Sequence, residues 1–478
     1  MPDKPNIVLI CVDQWRADCL SIAGHPAVET PHLDQLAHQG ALFTNAFSAT
    51  PTCIAARASL MTGTGQRTHG RVGYQDKVEA TYPTTLAGEM TRGGYQTIAC
   101  GKMHVHPQRN RIGFEEVILH DGMIHAYGVD RESDYEDWLR ANRGADCGLF
   151  DHGIESNSWV ARPWHLDEQA HPTYWVTSQA TQWLGRRDKT KPFFMLLSYV
   201  APHPPLVPPD FYLRQYLDQD LPTPAVGDWE GKLDLDGDSG RWVANTSCGR
   251  LDPRAQHRAQ AGYYGLMTQI DHQIGRLLEH LSDHQLRDTV IMFTSDHGEL
   301  MGDHLMFRKS MPYQGSAQVP LIVRIPGQTG INTQPGPRDQ LVDLRDIMPT
   351  VLDIAGLEIP DSVEGKSLLG IIRGQSDQPV RDYLHGEHTS GRLSNHWISD
   401  GQWKYIWFSQ SGVEQLFDCR NDPDELHDLA EDPDHHKTLK RLRGQLVKEL
   451  TGREESYTDG EKLIVGQRPQ PTLSHILP

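Results

Sequence analysis

A chain of 478 residues, 37% of them hydrophobic, can bury a large core as one α/β domain with an appendage. A formal net charge of −18 and a pI near 5.7 argue against nucleic acid as a partner, though a pocket on an acidic protein can still be locally positive. Seven cysteines with no C-x-x-C pair fit a reducing compartment, and no apolar run of about 18 residues is present to span a membrane. With Met1–Pro5 running straight into a strand and no leader ahead of it, a cytoplasmic protein is expected.

Residues 6–13, Asn-Ile-Val-Leu-Ile-Cys-Val-Asp, read as a continuously apolar strand of a mostly parallel sheet, ending in Asp13-Gln14. In open α/β sheets ligand sites collect at such C-terminal strand ends. Residues 32–40 read as a helix closed by Gly40, and Ala41–Ser48 lead to a second helix. That helix begins near Cys53 in Pro51-Thr52-Cys53-Ile54-Ala55-Ala56-Arg57-Ala58-Ser59-Leu60-Met61-Thr62-Gly63, which is rich in strong helix formers and ends in glycine. Arg57 then lies one turn after Cys53 on the same face, and the helix N-terminus favours an anionic group.

A second strand, Thr97–Cys100, ends in Gly101-Lys102-Met103-His104. Residues 104–175 lack clean periodicity and are rich in Trp138, Trp159, Trp164, Trp175, His120, His125, His152, His165 and His171. Two readings stand: loops whose aromatics pack locally, or a roof that stacks on a sugar or aryl ring. Lys191–Val200 reads as a third buried strand, stopped by Ala201-Pro202-His203-Pro204-Pro205 because proline forbids continuation of the sheet. Residues 218–260 read as an excursion, with Asp234-Leu235-Asp236-Gly237-Asp238 a solvated acidic loop lacking the EF-hand register.

Tyr263, Leu266, Ile270, Ile274, Leu277 and Leu281 form the apolar stripe of a helix over 263–281. Thr289–Ser295 is a fourth apolar strand, ending in Asp296-His297-Gly298-Glu299. Two strands ending in Asp13-Gln14 and Asp296-His297 suggest two halves of one metal site. Beyond about residue 380 short strands with turns and a final helix read as a small antiparallel sheet with a helix. The organisation expected is a catalytic domain over 1–375 and an α+β unit with tail over 376–478. The polar tail from Lys462 to Pro478 is expected to wrap a neighbouring subunit, which would make the protein a homo-oligomer.

Several of these stretches together resemble the sulfatase family of the alkaline-phosphatase-like superfamily. Cys53-x-Ala55-x-Arg57 with Leu60-Met61-Thr62-Gly63 is similar to the signature C-x-(P/A)-x-R…L-T-G, although Thr64 stands where the family usually has arginine. Gly101-Lys102-Met103-His104 resembles G-K-W-H. Ser198-Tyr199 with Pro202-His203-x-Pro205 resembles the segment carrying a leaving-group histidine, and Thr294-Ser295-Asp296-His297-Gly298-Glu299 with Gly302-Asp303-His304 resembles the metal segment. Phe307-Arg308-Lys309-Ser310 resembles the lysine loop, and Gln314 stands where the family more often has glutamate. The matches run in the family's order from Asn6 to about Asp432.

The resemblance implies a large mostly parallel mixed sheet flanked by helices, and sulfate ester hydrolysis at a formylglycine made from Cys53 by a formylglycine-generating enzyme. It implies that Arg57 and Lys102 steady the transferring group and that His203 and Lys309 serve the leaving alcohol. His104 would deprotonate the covalent sulfate hemiacetal, expelling sulfate and restoring the aldehyde. It also implies one divalent metal held by Asp13, Gln14, Asp296, His297 and the converted Cys53. Few carboxylates and a nitrogen donor favour manganese over calcium. The substrate expected is a small anionic sulfate ester, such as a sulfated sugar. The rivals are a phosphonate monoester or phosphodiester hydrolase of the same superfamily, a choline-sulfatase-like enzyme, and a silent binding protein.

Overall fold

In the computed structural model, which describes residues 4–122, 132–235 and 244–477, the chain builds one eight-stranded sheet with helices on both faces. In chain order the strands of the first part are β1 (Ile7–Asp13), β2 (Ala41–Phe43), β3 (Ala46–Phe47), β4 (Gln96–Gly101), β5 (Glu116–Leu119), β6 (Phe193–Pro202) and β7 (Val290–Ser295). They continue as β8 (Leu321–Arg324), β9 (Gly336–Arg338) and β10 (Val342–Asp343). The main sheet has the order β5-β4-β6-β1-β7-β8-β2-β9, and β10 pairs with β3 apart from it. From β5 to β7 all neighbours are parallel, while β8 runs antiparallel to both β7 and β2.

Alternate side chains of β1 explain its unbroken apolar run. Val8, Ile10 and Val12 enter a core roofed by the helices Pro172–Arg186 and Pro253–Asp283. Ile7, Leu9 and Cys11 enter another, roofed by the helices Cys53–Thr62, Leu86–Arg92 and Ile347–Ile354. A strand covered on both faces has no use for polar alternation.

The C-terminal part is an antiparallel sheet of β11 (Leu384–His388), β12 (Asn395–Ser399), β13 (Trp403–Phe408) and β14 (Glu414–Asp418). One face packs on the main body through Trp397, Ile406, Phe408 and Phe417. The other is covered by the helix His436–Leu450 through Leu439, Leu442, Leu446 and Leu450.

Three expectations are corrected. The third strand does not stop before the prolines: it runs through Pro202, where a register shift between Val12 and Asp13 splays it from β1 and relieves the lost N–H. The stripe helix starts ten residues early, at Pro253, capped by the Asp252 carboxylate accepting from the Arg254 N–H at 3.0 Å. The tail lies on its own chain: the Val72 N–H donates to Pro471 O at 3.1 Å and the Leu473 N–H to Gly70 O at 2.8 Å. Within residues 104–175 the chain adds β5 and the helix Asp134–Arg143. His125 and residues 236–238 of the acidic loop lie outside the described residues.

Candidate active site

Four adjacent parallel strands, β4, β6, β1 and β7, deliver their C-terminal ends to one place. β1 ends in Asp13 and hands on to Gln14, β4 to Lys102 and His104, β6 to His203, and β7 to Asp296 and His297. Across from them the helix Cys53–Thr62 begins with Cys53 itself and closes with Gly63 at a φ of 65°. Every residue of this helix is buried, including Arg57.

Arg57 has specific partners. Its Nε donates to Asp296 Oδ2 at 2.8 Å, and its Nη1 donates to Ser198 Oγ at 2.8 Å and to Lys102 O at 2.9 Å. Lys102 Nζ forms a buried ion pair with Asp13 Oδ2. The His203 N–H donates to the carbonyl of Asp13 at 3.1 Å, which fixes the turn after β6 against β1. Gln14, with a φ of 73°, donates its backbone N–H to Asp296 Oδ1 at 3.2 Å. Its side-chain oxygen accepts from Lys309 Nζ at 2.7 Å, and its amide nitrogen donates to Glu299.

Asp13, Cys53, Asp296 and His297 each offer one ligating atom, and these atoms lie within 4.8 Å of one another. The donor set fits a divalent cation. His297 Nδ1–H donates to Gly298 O at 2.9 Å, so Nε2 faces Cys53 Sγ at 3.1 Å and Asp13 Oδ1 at 3.3 Å. A ring oriented by a carbonyl behind it is the usual arrangement of a metal-binding histidine. Burial disfavours the imidazolium, but Asp296 and the Cys53 thiolate outweigh it and raise the His297 pKa to about 10. The pocket therefore draws positive charge to this point.

The thiol of Cys53 is pushed up by burial and by Asp13, yet Lys102, Lys309 and His297 bring it below its ordinary value. His104 and His203 sit well below theirs, each chiefly through burial, and then through Lys102 and Lys309 respectively. Both are neutral imidazoles. His203 Nδ1–H donates to Pro204 O at 2.6 Å, leaving Nε2 to act. Neither ring nitrogen of His104 has a hydrogen-bond partner among the described residues.

These groups open into a cavity of about 390 Å³ whose lining includes Cys53, Lys102, His104, His203 and Lys309. The residues singled out in the sequence are thus brought together. Three others belong with them. Asp121 accepts from the Met103 and His104 N–H groups at 2.7 and 3.0 Å and sets the turn that carries His104, whose φ is 54°. Glu299 holds Gln14 and the Arg308 N–H. Ser198 steadies Arg57. Asp121 follows the end of β5, so the strand-end rule would have found it had that strand been read. The aromatic roof is mostly packing: Trp138, Trp175, Tyr135 and His120 meet one another, chiefly in tilted and edge-on contacts, and Trp164 sits among His152, His165 and His171. The segment's contribution to the cavity wall is His104, Asp121, Ser156 and Asn157, and none of its tryptophans.

Residues 5–357 match the family model described as sulfatase, and residues 302–452 match that of the N-sulphoglucosamine sulphohydrolase C-terminal region. An arylsulfatase of Clostridium perfringens is 48% identical over 483 residues, covering 99% of this chain and 100% of that one. A choline-sulfatase of Rhizobium meliloti is 29% identical, covering 88% of this chain and 81% of its own length. Among solved structures, a phosphonate monoester hydrolase of Agrobacterium radiobacter superposes with a TM-score of 0.77 at 27% identity, over 97% of this chain and 100% of that chain.

Proposed function

Taking as premise that the chain belongs to the sulfatase family and is a sulfuric ester hydrolase, we propose that its catalytic centre is the Cys53 cavity. The observation that carries this reading is the convergence of Arg57, Lys102, His104, His203 and Lys309 on Cys53 from separate elements. The residue proposed to react is formylglycine formed from Cys53, with a formylglycine-generating enzyme as maturation partner. The Cys53 Sγ then stands where the oxygen of that side chain would be. Asp13, Asp296 and His297, with Gln14 beside them, would hold calcium or manganese, which when bound supplies Lewis-acid charge and lowers the pKa of a coordinated hydroxyl.

The remaining work falls to this chain's side chains. Lys102 and Lys309 supply point charges to the anionic sulfuryl group, while Arg57 fixes Asp296 and the Lys102 carbonyl with its planar donors. His203 is neutral when the cavity is free. An anion arriving beside it raises its pKa, so Nε2 takes up a proton and donates it to the departing alcohol oxygen. His104, neutral and without a hydrogen bond to its ring among the described residues, is the base on the opposite step, holding the proton that must leave residue 53. Asp121 keeps its backbone in place for that.

Polar walls containing Ser156, Asn157 and Ser390 suit a hydroxylated leaving group, so a sulfated sugar is the natural substrate proposed, and an aryl sulfate a surrogate. A cytoplasmic location belongs to the same proposal, and cell fractionation tests it. The reaction itself is tested with protein matured by a formylglycine-generating enzyme, and with its Cys53→Ala variant. Each is given 4-nitrophenyl sulfate and an aryl phosphonate monoester with calcium or manganese. Sulfate turnover in the first and none in the second is expected, and a dominant phosphonate activity would move the assignment to the rival branch.

A further inference from the structure

Among the described residues, the cations around the cavity are partnered, with one exception. Arg57 is held by Asp296, Lys102 by Asp13, and Lys309 by the amide oxygen of Gln14. Arg308, on the wall of the same cavity, has no hydrogen bond or ion pair to its guanidinium among the described residues. The nearby Glu299 makes no hydrogen bond to that guanidinium; its carboxylate accepts instead from Gln14, from the Met301 N–H at 2.8 Å and from the backbone N–H of Arg308. Nor is this a freely solvated side chain, because Arg308 is partly buried in the cavity wall.

The position of Arg308 is also built. Arg308 and Ser310 adopt left-handed backbone, with φ of 72° and 81°, on either side of Lys309. Side-chain-bearing residues rarely adopt that conformation, so the surroundings must enforce it. They do: the Phe307 N–H donates to Ser247 O at 2.9 Å, the Leu300 N–H to Arg308 O at 2.8 Å, and the Ser310 N–H to Pro51 O at 3.0 Å.

We propose that Arg308 anchors a subsite for a second anionic group, a sulfate or a carboxylate, on the sulfate ester that this cavity takes. The inference rests on the sulfatase reading given above and names the substrate class within it. A sulfate monoester brings one negative charge to Lys102 and Lys309. A partly desolvated guanidinium beyond them offers planar, two-point recognition to a further oxyanion. Ser156, Asn157 and Ser390 line the same cavity and offer partners to the hydroxyl groups of such a substrate.

The test compares matched substrates on the matured protein and on its Arg308→Gln and Arg308→Lys variants, with 4-nitrophenyl sulfate as reference. One series sets N-acetylglucosamine 6-sulfate against its 3,6- and 4,6-disulfates. The other sets the carboxyphenyl sulfates against their methyl esters. The two arms tell a second sulfate from a carboxylate. At least one dianionic member is expected to exceed its partner about tenfold or more in kcat/KM, through KM, as a charge-assisted pair of hydrogen bonds warrants. In Arg308→Gln that ratio falls towards one, and Arg308→Lys keeps part of it. A wild type with no such preference, or a preference that survives Arg308→Gln, overturns the subsite and leaves the sulfatase reading standing. Failure to turn over 4-nitrophenyl sulfate, with the aldehyde verified by mass, overturns the sulfatase reading and the subsite with it.

Discussion

Arg57 and Asp296 show what the site demands of single residues. Both are buried and joined at 2.8 Å, so neither charge can lose the other without being stranded. Arg57→Ala should cost roughly 3–5 kcal/mol of stability, the range for breaking a buried pair from one side. Arg57→Lys keeps the charge but not the planar donors to Ser198 and the Lys102 carbonyl. It should fold, with kcat/KM lowered by on the order of a hundredfold, comparable to losing one preorganised donor. Thermal melts beside aryl sulfate kinetics separate the two effects, and a Lys variant as active as wild type would remove Arg57 from the catalytic argument. His69, one turn beyond the Cys53 helix, makes a pH statement. Its Nδ1 accepts from the Arg71 N–H at 3.2 Å and its Nε2–H donates to Ser59 Oγ at 2.9 Å, so the fold holds it neutral. Burial lowers its pKa to about 3. The unfolded chain, titrating near ~6.5, binds the proton first. Stability contributed by His69 is therefore full above pH ~6.5 and is lost as pH falls towards 3. Urea midpoints across pH 7 to 4 should fall less steeply in His69→Gln than in wild type, and parallel curves would refute it.

At the scale of elements, the site exists because β4, β6, β1 and β7 end together, and Gly101 shows how tightly. It has a φ of 103°, and a Cβ there would lie 1.8 Å from Ser198 O on the neighbouring β6. Gly101→Ala must push the two strands apart where Lys102 leaves the sheet. Activity should drop at least about a hundredfold, as expected for catalytic groups misplaced by an ångström, with a clear loss in melting temperature. Near-normal kinetics would show that Lys102 reaches the site by another route. The four strands were legible because each is a short apolar run ending in polar residues, a pattern that needs no partner to be recognised. What stayed hidden has a physical reason in each case. β5 is four residues at the sheet's edge and three of them are half-buried, too short and too mixed for a period, and Asp121 was lost with it. The first turns of the helix Pro253–Asp283 are largely exposed and carry no apolar stripe, so only Asp252-Pro253 signalled them. The carboxylates that organise the site's cations were partly visible as strand ends. Glu299's grip on Gln14, across 285 residues, is a tertiary contact that no local pattern encodes.

On the scale of the whole molecule, the C-terminal sheet is tied to the catalytic body by buried charge and by the tail. Lys404 on β13 is fully buried and donates to Pro312 O at 2.9 Å, to Gln314 Oε1 at 2.7 Å and to Glu425 Oε1 at 2.8 Å. Glu425 supplies the negative charge here, which is why a neutral Gln314 is tolerated beside that lysine. The tail adds a strap. Leu473 is buried, Gln470 O accepts from Thr389 Oγ1 at 2.8 Å beyond the end of β11, and Ile476 presses on Gly70 in the body. Gly70 follows the short helix that holds His69, next to the Cys53 helix. Deleting residues 470–478 should therefore act within one chain. It strips about 2–3 kcal/mol of apolar burial and several hydrogen bonds, enough to lower the melting temperature by a few degrees in a protein this size. The mass measured by light scattering should match that of the full chain, whatever that mass is, because the strap grips its own body. A truncated protein that changes oligomeric mass while keeping its melting temperature would mean that the tail's partner surface belongs to another copy.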